Sequence, residues 1–208
     1  MMTKGLSIRE LRPEDLIVAA DLTARSMRDN PLNIAALGSD PARREQRMRR
    51  MFRLALPITC RKGLVLGVFD GAALVGIAGT KPSDKCQLGL GEELLHLLPM
   101  IRAVGFSGLV RLFHWTERWA ARDLAEPHWH LGPLAVDSQL QRKGIGSVLM
   151  VEYCTRLDRA NAVGYLETDK PENVKFYRRF DFQTIAEARV LNIPNWFMRR
   201  ASSSRRSA

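Results

Sequence analysis

Apolar and polar positions recur with two periods along this chain, and the periods divide it into elements. "GLSIREL" alternates around Leu6 and Ile8 and reads as a strand. "RPEDL" stops it and opens a helix: Pro13 suits a first helical turn, and Glu14 and Asp15 favour its positive end. "LIVAADLTARSM" then carries helical spacing, and the pattern predicts a second helix within 41–55. "GLVLGVF" and "AALVGIAGT", joined at Asp70-Gly71, form the clearest hairpin. Residues 81–126 hold two predicted helices, "GEELLHLLPMIRAV" and "GLVRLFHWTERWAARDLA". A strand over about 128–136 follows, then a polar loop and a helix over 144–160. The chain finishes with a strand "VGYLET", a helix "ENVKFYRRF", and strands "FQTIAEARVL" and "NWFMRR".

This order predicts an α/β fold whose sheet runs in mixed directions, with crossover helices and a helical insertion at 81–126. At 100° per residue, Leu149, Met150, Tyr153, Cys154, Leu157 and Ala160 fall on one arc of the helix over 144–160. Ser147, Glu152, Thr155, Arg156, Asp158 and Arg159 fall opposite, as on a surface helix packed on a sheet. The insertion is more apolar than two peripheral helices need: Leu94, Leu97, Leu98, Trp115 and Trp119 suit a lid over a binding site, a subunit interface, or burial against the protein's own sheet.

Composition narrows the class. The 208 residues suffice for one well-buried core, taken as a single domain over 1–200. No apolar run approaches the ~20 residues that span a bilayer. "MMTKGLSIRELRPED" has no apolar core or cleavage site, so a cytoplasmic protein is expected. Cys60, Cys86 and Cys154 lie too far apart to suggest a disulfide framework or a zinc site, and no metal is expected. The net charge of +10 raises the question of an anionic partner. Its excess sits in "RREQRMRR" (43–50) with Arg53, and in the tail over 201–208 with the arginines before it. The tail is expected to be frayed and disordered. The 43–53 run reads as a solvated helix face or as a contact for an anionic ligand. The aromatic-and-basic interleaving of single-strand binders is missing, so nucleic acid is not the expected partner.

Chemistry concentrates in "QRKGIG", Gln141 to Gly146, between an apolar strand and a helix. It is neither a P-loop nor a Rossmann turn, because no G-x-x-x-x-G-K-[ST] string exists and position 149 is Leu. Bare amides at a helix start, flanked by Arg142 and Lys143, suit a wrapped pyrophosphate; a plain turn is the alternative. Upstream, Gly132-Pro133 within "HWHLGPLAV" predicts a bulged strand that splays from a parallel neighbour and exposes unpaired amides. Downstream, Asn173 and Tyr177 share a helix face.

With "LAV", "QRKGIG" and "NVKFY", residues 128–183 resemble the GNAT superfamily of acetyl-CoA-dependent N-acetyltransferases. "HWHLGPLAVDSQLQRKGIGSVLM" is most similar to its small-molecule, puromycin-acetyltransferase-like branch. Asp181 stands where the family often has glycine. The resemblance implies a mostly antiparallel mixed sheet with splayed central parallel strands, flanked by helices, and acetyl-CoA as co-substrate. It implies a pantetheine arm along Leu134, Ala135 and Val136, and a pyrophosphate held from Gln141 through Arg142, Lys143, Gly144, Ile145 and Gly146 to Ser147. Asn173 would touch the pantetheine or order its helix, with Phe176 beside it. Tyr177 would protonate the leaving thiolate, or be a packed aromatic. For the base, His130 occupies the position of a family glutamate; a water chain is the alternative, and His128, Glu126 and His114 are further candidates. The acceptor would be a primary amine of a small molecule or peptide, reached by direct transfer in a monomer or homodimer. The competing reading is a module of the same fold without turnover, whose basic surface contacts nucleic acid or acidic partners.

Overall fold

The computed structural model describes residues 5–86 and 89–206. The first four residues of the expected domain, 87–88 of the 81–126 segment and the last two tail residues lie outside that description.

Strand β1 (Leu6–Glu10) leads through a short 3-10 turn into α1 (Leu16–Met27), α2 (Pro31–Leu37) and α3 (Pro41–Lys62). The hairpin β2 (Leu64–Asp70) and β3 (Ala73–Pro82) follows, then α4 (Leu90–Val104) and α5 (Phe106–Ala120). The remainder alternates: β4 (His128–Val136), α6 (Ile145–Arg159), β5 (Val163–Thr168), α7 (Pro171–Arg178), β6 (Gln183–Val190), β7 (Ile193–Arg200) and α8 (Ser203–Arg206). The seven strands of the described residues form one sheet in the order β1-β2-β3-β4-β5-β7-β6. Every neighbouring pair is antiparallel except β4 with β5.

Strand alternation sends side chains to both faces, so the sheet carries two cores. Leu66, Val68 and Leu166 pack with Leu149, Tyr153 and Leu157 of α6 on one face. Val65, Ile77 and Ala135 pack with Ala20, Phe52 and Val104 from α1, α3 and α4 on the other. The inward arc of α6 is the one its periodicity predicts: Leu149, Met150, Tyr153, Cys154 and Leu157 are all buried.

Three features differ from expectation. Helix α3 runs through Pro57 to Lys62, because Leu56, Ile58 and Thr59 are buried and packing outweighs the proline's local cost. The basic run on α3 is largely consumed internally. Buried Arg44 donates to the carbonyls of Arg28 (2.6 Å) and Gly38 (2.7 Å) and to Asp29 (2.8 Å), tying α3 to the segment around α2. Arg47 donates to the Leu37 carbonyl, while Arg49 and Arg53 meet Asp21. The tail from 201 is not frayed over its described part. Ser202 is buried, and the Ser203 hydroxyl and Ser204 amide donate to Asn161 at 3.1 and 3.0 Å. Polar side chains supply a docking contact that composition alone does not reveal.

Candidate active site

The site begins where β4 leaves β5. Their parallel register covers His128↔Val163, Trp129↔Gly164 and His130↔Tyr165, and ends there. On its other edge β4 stays paired with β3, but Gly132 and Pro133 together oppose the single residue Gly79, between Thr80↔Leu131 and Ala78↔Leu134. That two-against-one count is the expected bulge. The Asp137 amide donates to the Val75 carbonyl at 2.9 Å. Antiparallel pairs alternate between bonded and non-bonded, so Ala135 with Ile77 is the next bonded pair inward. The polar backbone groups of Leu134 and Val136 therefore point away from β3, into the gap beside β5. The Ala135 backbone faces β3 between these two rungs, and its side chain is buried.

The gap leads to the glycine loop. Gly144 caps α6 with φ +90°, a conformation that L side chains rarely adopt, and a Cβ there would meet no atom within 4 Å. Its glycine is required by the backbone, not by crowding within the protein. The amides of Gly144, Ile145 and Gly146 donate to no group among the described residues, as at the bare start of a helix. The Ser147 amide differs from expectation: it already donates to the Gly144 carbonyl at 2.9 Å, closing the first turn. Arg142 holds φ +64° and stands with Lys143 at the exposed turn. Gln141 folds back, its amide nitrogen 3.3 Å from the Val136 carbonyl, and so closes the strand end. Phe176 of α7 walls the opposite side, its ring 3.5 Å from where a Cβ on Gly146 would lie.

Helix α7 brings Asn173 and Tyr177 to the same wall. Asn173 donates to the Thr168 hydroxyl at 3.2 Å, which also accepts from the Lys170 amide, so it orders the turn that starts α7. Tyr177 is buried against Phe176 and Phe182, and its hydroxyl bonds to nothing among the described residues. Burial, and secondarily the Asp169 carboxylate, push its phenol far above the ordinary range. Asp169 accepts the Leu32 amide at 2.8 Å, linking the end of β5 to α2; burial raises its own pKa.

His130 stands at the last rung before the splay, and its Nε2 lies 2.6 Å from Glu167 Oε2. Burial alone would depress the imidazole, but the Glu167 carboxylate outweighs it, with Cys86 adding to the effect, and the pKa rises to about 10. The His130 Nε2 is thus occupied by a partner carboxylate. Lys81 pairs with His130 in the β3–β4 register; burial depresses its ammonium, and its Nζ donates to the Cys86 carbonyl at 3.2 Å. Glu167, 2% exposed, is the residue that sequence reasoning missed. The one signal for it was a carboxylate inside the short apolar strand "VGYLET". Of the other base candidates, His128 is buried beside Asp123, and Glu126 is held by Arg199 at 2.6 Å.

A profile of the acetyltransferase (GNAT) family matches residues 39–182, more than half of the chain. The chain belongs to the GNAT acetyltransferase family. Solved structures share the fold over almost the whole length. A protein from Corynebacterium glutamicum described as histone acetyltransferase HPA2 and related acetyltransferase is similar at TM-score 0.72 and 15% identity, covering 96% of this chain and 97% of its own. The PaiA N-acetyltransferase of Thermoplasma acidophilum, solved in complex with coenzyme A, is similar at TM-score 0.60 and 15% identity, covering 94% and 98%. The ribosomal-protein-S18-alanine N-acetyltransferase of Escherichia coli is similar at TM-score 0.57 and 14% identity, covering 95% and 94%. In this GNAT chain the bulged β4, the loop at α6 and the wall of α7 surround one gap. No helix among the described residues is long and apolar enough to cross a membrane.

Proposed function

We propose that this GNAT chain transfers an acetyl group from acetyl-CoA directly to a primary amine of a small molecule or peptide. The observation that carries the reading is the unpaired edge of β4. The Leu134 and Val136 backbone faces a gap that runs to the bare amides of Gly144, Ile145 and Gly146. A pantetheine arm is extended and carries its own amides, so it is suited to take the place of the missing strand. The loop amides, the positive end of α6 and the charges of Arg142 and Lys143 then suit the pyrophosphate. Acetyl-CoA supplies an activated acyl group and a thiolate leaving group.

The residues around the gap have separate tasks. Tyr177 keeps its proton at any working pH, because burial holds its phenol high. A thiol's pKa of about 8.5 is well below that, so the phenol stabilises the leaving thiolate by hydrogen bonding and does not surrender the proton outright. Asn173 positions α7, and hence Tyr177, through Thr168. His130 Nε2 is turned to Glu167, and the amine proton leaves to water.

Calorimetry with CoA, followed by mass spectrometry of a mixed amine panel incubated with acetyl-CoA, tests the reading. CoA binding with amine-dependent formation of acetylated product is expected. Absence of CoA binding by the folded protein would end it, and binding without transfer to any amine would leave a non-catalytic module.

A further inference from the structure

Behind the splay, the segment leaving α5 meets β4 at three metal-binding side chains. One ligand atom from each of Asp123, His128 and His130 lies within 4.8 Å of the others. His128 and His130 are two apart on β4 and so share one face of the strand. The His128 side chain has no solvent exposure. Its Nδ1 is 2.9 Å from the Glu126 carbonyl, which can only accept, so Nδ1 carries a proton. That leaves Nε2 facing Asp123 Oδ1 at 2.9 Å, yet this buried nitrogen makes no hydrogen bond, because the carboxylate oxygen is off its axis. A bare Nε2 would turn a lone pair toward an anion, and a protonated one would aim its N–H past the acceptor. Neither state satisfies the atom.

A cation held by both groups does. With bonds of about 2.0–2.1 Å to nitrogen and oxygen, two ligand atoms on one first-row ion stand roughly 3 Å apart, each off the other's axis. The surroundings match what metal ligands need. The Glu126 carbonyl fixes the His128 tautomer, and the Leu124 amide donates to Asp123 Oδ1 at 2.9 Å. Glu167 takes His130 Nε2 at 2.6 Å, an outer carboxylate of the kind that orients a ligating imidazole, and a bound cation would replace a ring proton of His130. The Tyr165 ring meets both imidazoles edge-on, with centroids at 5.2 and 5.3 Å, and fixes their planes. Asp123 is 24% exposed, which provides a way in.

We propose that Asp123, His128 and His130 bind one divalent first-row cation. Two imidazoles and a carboxylate are a set that zinc takes with its fourth position open. The proposal is independent of acetyl transfer, since none of its three ligands has a task in that reading.

Untagged protein, stripped with chelator, is titrated with Zn²⁺ against a chromophoric chelator and separately with Co²⁺ followed by visible absorption. One equivalent of Zn²⁺ should bind, and bound Co²⁺ should show d–d bands. His128→Gln and Asp123→Asn, each checked for folding by circular dichroism, should weaken Zn²⁺ at least 100-fold. Glu167→Gln, which acts through His130, should weaken it by about 10- to 100-fold. Zn²⁺ uptake by folded wild type no greater than by the folded Asp123→Asn/His128→Gln double variant would overturn the site and leave an ion pair. A spectrally silent Co²⁺ titration would overturn it equally. If the single variants do not fold, the wild-type titration and the Co²⁺ spectrum still decide.

Discussion

His130 Nε2 meets Glu167 Oε2 at 2.6 Å just past the last rung that joins β4 to β5. The pair sits where the sheet opens, so it clasps the two strands at the apex of the gap. Side chains in direct contact have non-additive effects on stability. In chelator-stripped protein, His130→Gln and Glu167→Gln should each destabilise, and the double variant should lose less than their sum, by about 2 kcal/mol in denaturant unfolding. Additive losses would mean that the contact contributes nothing.

Gly144 is expected to be the least replaceable residue of the loop. Any L side chain at φ +90° costs roughly 1–2 kcal/mol locally, and glutamate adds a negative charge beside the bare amides. Gly144→Glu should bind CoA at least 100-fold more weakly by calorimetry while its circular dichroism is unchanged. Affinity equal to wild type would remove the loop from the site.

Tyr177→Phe keeps the buried ring and deletes the hydroxyl. A donor that acts only as the thiolate forms contributes to the transition state, so kcat should fall about 10²-fold with the CoA dissociation constant unchanged. Turnover at the wild-type rate would reduce Tyr177 to a packing residue.

Arg44→Ala strands the Arg28 and Gly38 carbonyls and the Asp29 carboxylate without their shared donor. Loss of a buried, charge-assisted set of this kind should cost about 3 kcal/mol in urea unfolding, with CoA affinity retained. An equal cost from the exposed neighbour Arg43→Ala would contradict it.

Asp15 joins Arg9 at 2.7 and 3.0 Å, and that hydrogen bond, opposed by burial, holds its carboxyl below the ordinary range. A depressed folded pKa gives stability that is present above the unfolded pKa of about 3.9 and fades as pH falls through the folded value. Asp15→Asn should therefore melt below wild type at pH 7, and the difference should close in acid. Asp15 also accepts the Arg12 amide at 2.7 Å, and a gap that is constant with pH would assign the effect to that bond alone.

Much of this architecture was legible because its signals are local. The hairpin at Asp70-Gly71, the α6 arc and the Gly132-Pro133 bulge each lie within one stretch of chain. Glu167 was not legible: it meets His130 across 37 residues, and only the parallel register brings them together. Helix α2 escaped because seven residues carry too little period, and its placement depends on Arg44 and Asp169 from elsewhere. Arg44 itself shows the limit of counting charge. A basic run reads as surface until the carbonyls it serves are known.

Among the described residues the sheet is continuous between its halves through three rungs, His128↔Val163 to His130↔Tyr165. On one side β1 to β4 form a unit, and on the other β5, β7 and β6 form a second. A ligand lying along Leu134 and Val136 would act as an eighth strand, laced to one half by hydrogen bonds and to the other by the wall of α7. Its departure would unlace them, so the slowest-exchanging amides in the loaded protein should include two that exchange freely without it, at Leu134 and Val136.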